Sequence, residues 1–112
     1  MKILVTDDDR DIRETLHQLL SHRGHDVSLA SDGDECLTIA NDVAHDLVFL
    51  DVMMPYMDGM EVARQLKQQE HCPRVVFLTV KPKAELDMTF ADGYIQKPFG
   101  IDEVLGYVGG DV

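Results

Sequence analysis

Short apolar runs alternate with amphipathic stretches along the whole chain, and this alternation limits the fold more than any other feature. Ile3-Leu4-Val5-Thr6 reads as a strand that ends in Asp7-Asp8-Asp9. Ile12, Leu16, Leu19 and Leu20 then recur at i, i+4, i+7 and i+8, one face of a helix. Asp9 is placed to cap that helix, Asp11 and Glu14 suit its positive end, and Gly24 supplies a stop. Asp26 to Ala30 is a second strand, with Val27 and Leu29 on one face. A helix from about Asp34 to Ala40 follows, with Cys36, Leu37 and Ala40 inward.

Asp46 to Leu50 is the third strand, and its Leu47-Val48-Phe49-Leu50 run has no polar interruption, as expected of a strand covered on both faces. A loop from Asp51 to Asp58 leads into a helix from about Gly59 to Gln69 that turns Val62, Ala63 and Leu66 inward. Val75 to Leu78 is a fourth strand ending at Thr79, and Tyr94 to Gln96 a fifth ending at Lys97-Pro98. A weak last helix over about Gly100 to Val108 buries Val104, Leu105 and Val108. Strands alternating with helices predict an α/β fold, a doubly wound parallel sheet with helices on both faces and right-handed crossovers.

In such sheets, sites gather at the carboxyl ends of the strands. The unusual polar residues stand there: Asp7 and Asp8 after the first strand, Asp51 after the third, Thr79 after the fourth and Lys97 after the fifth. Taken singly, each has a plain explanation as a helix cap, a turn residue, a β-branched strand residue or a solvated charge. Taken together, five polar residues at four strand ends point to one site. Three gathered carboxylates repel one another, and a hard divalent cation relieves this; Mg²⁺ takes a few carboxylates, waters and phosphate oxygens. A lysine and a threonine beside them suit a phosphoryl oxygen. The implied chemistry is phosphoryl transfer to a carboxylate.

Ten basic against 21 acidic residues leave a formal charge of −11, which argues against direct nucleic-acid contact, because phosphate neutralisation needs clustered Lys and Arg. Cys36 and Cys72 lie 36 residues apart, and neither has a Cys or His at zinc-ligand spacing; both are expected to be reduced thiols. No apolar run approaches the roughly 20 residues of a membrane span, and the N-terminal run is too short for a signal peptide. A cytoplasmic protein without membrane contact is expected, built as a single domain over residues 1–112.

The segments Ile3-Leu4-Val5-Thr6-Asp7-Asp8-Asp9, Leu50-Asp51-Val52-Met53-Met54-Pro55, Met57-Asp58-Gly59, Leu78-Thr79 and Tyr94-Ile95-Gln96-Lys97-Pro98-Phe99 resemble the receiver domain of two-component response regulators, over the whole chain and in family order. The resemblance implies a flavodoxin-like five-stranded parallel sheet of order 2-1-3-4-5. It implies that Asp51 accepts a phosphoryl group from a sensor histidine kinase or a phosphotransfer protein. Asp8 would be a direct Mg²⁺ ligand, Asp7 its acidic neighbour acting largely through water, and Met53 would bind the metal through its backbone carbonyl. Lys97 would contact the phosphoryl group, Thr79 would swing toward it, and Tyr94 would turn inward as the switch residue. Pro98 would follow a cis peptide bond that aims Lys97. Met53 and Lys81 would flank the route of the hydrolytic water, their long side chains slowing loss of the phosphoryl group. Such a module catalyses only its own phosphorylation and dephosphorylation. The switched face would serve a downstream protein or a covalently linked effector domain; with 13 residues after Phe99, no effector domain is expected within these residues, as in a stand-alone regulator or a receiver cut from a longer protein.

The chain departs from the family pattern between Thr79 and Lys97, which are 18 positions apart where the common pattern has about four more, roughly one helical turn. Ala84, Leu86, Met88 and Phe90 alternate there instead of following a 3.6 repeat, and Pro82 restricts the start. The fourth helix is therefore expected to be short, distorted or absent. Val80 stands where the family has Ala and is expected to narrow access to the site. Gly100, Gly106, Gly109 and Gly110 weaken the last helix. Gly109-Gly110-Asp111 is read as chance or the start of a linker. Asp7, Asp9 and Asp11 echo an EF-hand start, but Ile12 and Gln18 break that pattern. His17, His22 and His25 read as surface residues, and the methionines of residues 53–60 as loop and core filler. Two other functions remain: a pseudo-receiver scaffold that phosphorylation does not switch, and a Mg²⁺-dependent aspartyl phosphatase. The phosphatase needs an Asp two residues beyond the nucleophile, and Met53 is there.

Overall fold

A computed structural model of the protein describes residues 1–108; the expectations for Gly109, Gly110 and Asp111 lie outside the described residues. The elements in chain order are β1 (Lys2–Thr6), α1 (Arg10–His22), β2 (Asp26–Ala30), α2 (Gly33–Asp42), β3 (Leu47–Leu50), α3 (Gly59–Lys67), β4 (Arg74–Thr79), a 3₁₀ turn (Lys83–Glu85), β5 (Gly93–Gln96) and α4 (Ile101–Val108). The sheet is β2-β1-β3-β4-β5, and every neighbouring pair is parallel.

The unbroken apolar run of β3 is explained by the two cores. Leu47 and Phe49 face the side that holds Leu16 and Leu20 of α1 and Val104 and Val108 of α4. Val48 and Leu50 face the side that holds Cys36 of α2 and Val62 and Leu66 of α3. All four are fully buried, and each such side chain contributes about 1.5–3 kcal/mol relative to exposure. The edge strands β2 and β5 keep exposed ends and half-buried residues.

Local chemistry sets the element ends. Asp9, Asp32 and Asp58 cap α1, α2 and α3, each accepting a backbone N–H two or three residues on. Helix α3 stops at Lys67, short of the expected Gln69, because the N–H groups of Gln68 and Gln69 bond three residues back and tighten the last turn. Strand β3 starts at Leu47, one residue late, and the Asp46 carboxylate instead accepts the Lys2 N–H at 2.7 Å. Helix α4 forms despite Gly106, since Val104 and Val108 anchor one face and the Glu103 carboxylate accepts the Gly100 N–H at 3.0 Å.

The fourth family helix is reduced to the Lys83–Glu85 turn, after which residues 86–90 form an irregular strap that turns at Thr89 and Phe90, where the Ala91 N–H bonds to the Met88 carbonyl at 3.1 Å. Leu86, Met88 and Phe90 pack on the α2–α3 core while Asp87 and Thr89 face out, the alternation that the sequence carries. His25 departs from expectation: it is half-buried, with Nδ1 3.1 Å from the Met1 amino group. Both cysteines are free thiols. Cys36 is buried, which pushes its pKa up to about 11; Cys72 is exposed.

Candidate functional site

The strand ends converge because the sheet's hydrogen bonding runs one residue past each strand. The Asp7 N–H bonds to the Ala30 carbonyl at 3.1 Å, Asp51 N–H to Thr6 at 3.0 Å, and Lys97 N–H to Thr79 at 2.8 Å. Carboxylate oxygens of Asp7, Asp8 and Asp51 all lie within 4.8 Å of one another, an arrangement that can hold a metal ion. Asp7 and Asp51 are buried and Asp8 is exposed, so the cluster opens to solvent on one side.

The Lys97 ammonium donates to Asp7 Oδ2 at 2.5 Å and to Asp51 Oδ2 at 3.0 Å, bridging 90 residues of sequence. Burial works against its charge, but these two bonds and the carboxylate charges outweigh burial and hold its pKa above the ordinary lysine value. Burial pushes the Asp7 carboxyl up, with the Asp51 charge adding to it, against the opposing bonds from Lys97 and the Asp9 N–H. The Lys97–Pro98 peptide is cis, as the resemblance implies.

The other Asp51 oxygen, Oδ1, accepts the Met53 N–H at 3.0 Å. The Met53 side chain is half exposed, and with Asp8, Pro55, Tyr56 and Lys81 it lines an open cleft of about 580 Å³ beside Asp51. Val80 is 57% exposed and is not among the residues that line that cleft. Thr79 is fully buried at the end of β4, and its hydroxyl accepts the Lys81 N–H at 3.3 Å. The Tyr94 phenol, half-buried against the α2–α3 core, donates to the Lys81 carbonyl at 2.5 Å. Thr79 and Tyr94 therefore hold the same residue by its two backbone groups, and Lys81 joins them.

Several supporting residues were not singled out as functional from sequence. Gly59 is one: a Cβ there would lie 2.6 Å from the Val52 Cα and against the Asp51 carbonyl, so only glycine lets α3 start this close behind Asp51. The Met57-Asp58-Gly59 motif carried that signal. Arg13 reaches back from α1 to donate to the Asp7 carbonyl at 2.8 Å. Asp92 takes both the Lys67 ammonium at 2.5 Å and the Val75 N–H at 2.8 Å, tying the chain between the strap and β5 to α3 and β4. Tyr107, inside a helix that reads as weak, gave no sequence signal, yet its hydroxyl meets the backbone of Tyr94.

Residues 3–108 match the model of the response regulator receiver domain. Response regulator MprA of Mycobacterium sp. (strain KMS) is 44% identical over 110 residues, covering 94% of this chain and 47% of that protein. The chain thus spans about half the length of the curated relatives it matches. Among solved structures, response regulator TrrA of Thermotoga maritima in complex with Mg²⁺-BeF is similar, with a TM-score of 0.88, 33% identity, and coverage of 99% of this chain and 98% of that one. The chemotaxis protein CheY4 of Vibrio cholerae is also similar, with a TM-score of 0.88, 29% identity, and coverage of 96% and 94%. A further similar structure is TrrA bound to the histidine kinase ThkA, with a TM-score of 0.86, 33% identity, and coverage of 99% and 97%. With the acidic cluster, its lysine and the parallel sheet in place, the chain belongs to the response regulator receiver family.

Proposed function

We propose that the chain is a phospho-accepting switch, receiving a phosphoryl group on Asp51 from the phosphohistidine of a sensor kinase or phosphotransfer protein. The single observation that carries this reading is the Lys97 ammonium shared by Asp7 and Asp51 beside the open Asp8 carboxylate. A kinase as donor is supported by the ThkA complex of the similar TrrA.

Three carboxylates around a single ammonium leave net negative charge at the cluster, and the donor set is all oxygen, which fits Mg²⁺. Asp7, Asp8, Asp51 and the Met53 carbonyl would hold it. The bound ion supplies charge neutralisation for the incoming phosphoryl oxygens. An Asp51 oxygen attacks phosphorus. The new O–P bond forms as the donor's N–P bond breaks, and that electron pair returns to the donor imidazole. Lys97 keeps its positive charge at the carboxylate where the phosphoryl group arrives, and the open cleft admits the donor.

The added oxygens draw on the Thr79 hydroxyl, which then gives up the Lys81 N–H, and Tyr94 follows through the Lys81 carbonyl. The face around β4 and β5 is thereby presented to a downstream protein or a linked effector domain. The module turns over no substrate beyond its own phosphoryl group and works in the cytoplasm; no helix among the described residues is long and apolar enough to cross a membrane. The strap that replaces the fourth helix favours a second reading, an unswitched scaffold.

Beryllofluoride, which mimics a phosphoryl group, separates the two readings. With Mg²⁺ it should shift the backbone amide resonances of residues 79–81 and 94–97, and Asp51→Asn should remove the response. No Mg²⁺-dependent shift in the unaltered protein would contradict the switch and leave the scaffold.

A further inference from the structure

Strand β5 is one edge of the sheet, and an edge strand carries backbone N–H and C=O groups with no neighbouring strand to take them. At Tyr94 both groups are taken by a single side chain. The Tyr107 hydroxyl accepts the Tyr94 N–H at 3.2 Å and donates to the Tyr94 carbonyl at 3.4 Å. The Tyr107 ring lies on Gly93, where a Cβ would come within 2.7 Å of the ring carbon Cζ and 2.8 Å of the hydroxyl oxygen. Position 93 thus accommodates the ring only as glycine. Tyr107 sits one residue from the end of α4, and its own carbonyl accepts from the Arg74 guanidinium of β4 at 3.3 Å.

Two tyrosines therefore meet on one stretch of backbone. The Tyr94 phenol reaches toward the phosphorylation site through the Lys81 carbonyl, and the Tyr94 main chain is gripped from behind by α4. Both Tyr107 bonds are longer than the usual optimum of about 2.9–3.0 Å for N–H···O and about 2.7–2.8 Å for O–H···O. A small displacement of β5 therefore changes them directly, by tightening or by rupture. Val104 and Val108 are fully buried on the opposite core, so α4 cannot absorb that displacement by sliding freely.

We propose that Tyr107 is a positioning residue that couples the Tyr94 switch to the last helix: when Tyr94 responds to the phosphoryl group, the change in its backbone is read by the Tyr107 hydroxyl and passed to α4. This rests on the receiver reading above and adds a relay to it. The route runs Thr79, Lys81, Tyr94, Tyr107, each step a hydrogen bond. It directs the output of the switch to α4 as well as to the face around β4 and β5.

The chain has three tyrosines, Tyr56, Tyr94 and Tyr107, so 3-fluorotyrosine labelling gives three fluorine resonances, assignable by single Tyr→Phe variants. Mg²⁺ with beryllofluoride should shift both the Tyr94 and the Tyr107 resonances. In Tyr94→Phe, which lacks the phenol bond to Lys81, the Tyr107 response should be lost. In Gly93→Ala, where the added methyl displaces the ring, the Tyr107 response should also be lost while the Tyr94 response persists. A shifting Tyr94 beside a silent Tyr107 in the unaltered protein would overturn the relay alone, as would a Tyr107 response undiminished in Tyr94→Phe. Silence at both tyrosines would overturn the receiver reading and the relay with it.

Discussion

At the residue scale, the site is built from opposed charges. Lys97 is anchored in the sheet by its N–H on Thr79, so its ammonium reaches Asp7 and Asp51 from a fixed point. Burial raises the Asp7 carboxyl pKa even with Lys97 beside it, so keeping that carboxylate charged costs fold stability. Asp51, Asp7, Asp8, Thr79 and Lys97 were all legible in the sequence because each stands at or just beyond the carboxyl end of a strand. Gly59 was legible as part of a motif, but its purpose, the close approach to Asp51 and Val52, needed coordinates. Met53 and Lys81 both line the cleft beside Asp51, where the resemblance to the receiver family implies that they flank the route of the hydrolytic water. Cutting both to Ala should shorten the phosphoryl half-life by about threefold to tenfold, at most ~1.4 kcal/mol of barrier. Following loss of the phosphoryl group by intact mass checks this, and an unchanged half-life would show that neither side chain hinders the water.

At the scale of elements, the segment between β4 and β5 distinguishes this chain from the common family pattern. Its shortening and its two-residue alternation were both visible, and the structure turns them into a 3₁₀ turn and an apolar strap. The ties that hold the strap were less legible, because they join distant parts of the chain. The Asp87 N–H points to the Met60 sulfur at 3.2 Å, and Asp92 grips Lys67 and Val75. With few backbone bonds, amides of residues 82–90 should exchange much faster than those of β4 or β3 in native-state hydrogen exchange; protection equal to β4 would contradict this description. Burial of Asp92 opposes its charge, yet the Lys67 ammonium and the Val75 N–H outweigh that and lower its pKa. A lowered carboxyl pKa gives stability that is present above the unfolded value of about 3.9 and lost as pH falls through the folded value. Asp92→Asn should therefore cost about 0.2–1 kcal/mol at neutral pH, a figure already discounted for exposure, with the difference closing below about pH 4 in denaturant titrations.

For the whole molecule, the order of apolar runs determined the architecture in advance, since a strand apolar on both faces must be interior to a layered sheet. The contacts of α4 with the β5 edge were hidden, because a glycine-punctuated helix end and one tyrosine carry no periodic signal. The net charge of −11 is only partly assigned: Asp7, Asp8 and Asp51 are three of 21 acids, and the rest are mainly solvated or cap helices. The proposed switch depends above all on Asp51 being the acceptor. A phosphorylated aspartate is an acyl phosphate, which borohydride reduces to homoserine at the modified position. After incubation with acetyl phosphate and Mg²⁺, reduction and peptide mapping should find homoserine in place of Asp51, and nowhere when Mg²⁺ is withheld. Reduction at another carboxylate, or none with both reagents present, would contradict the account.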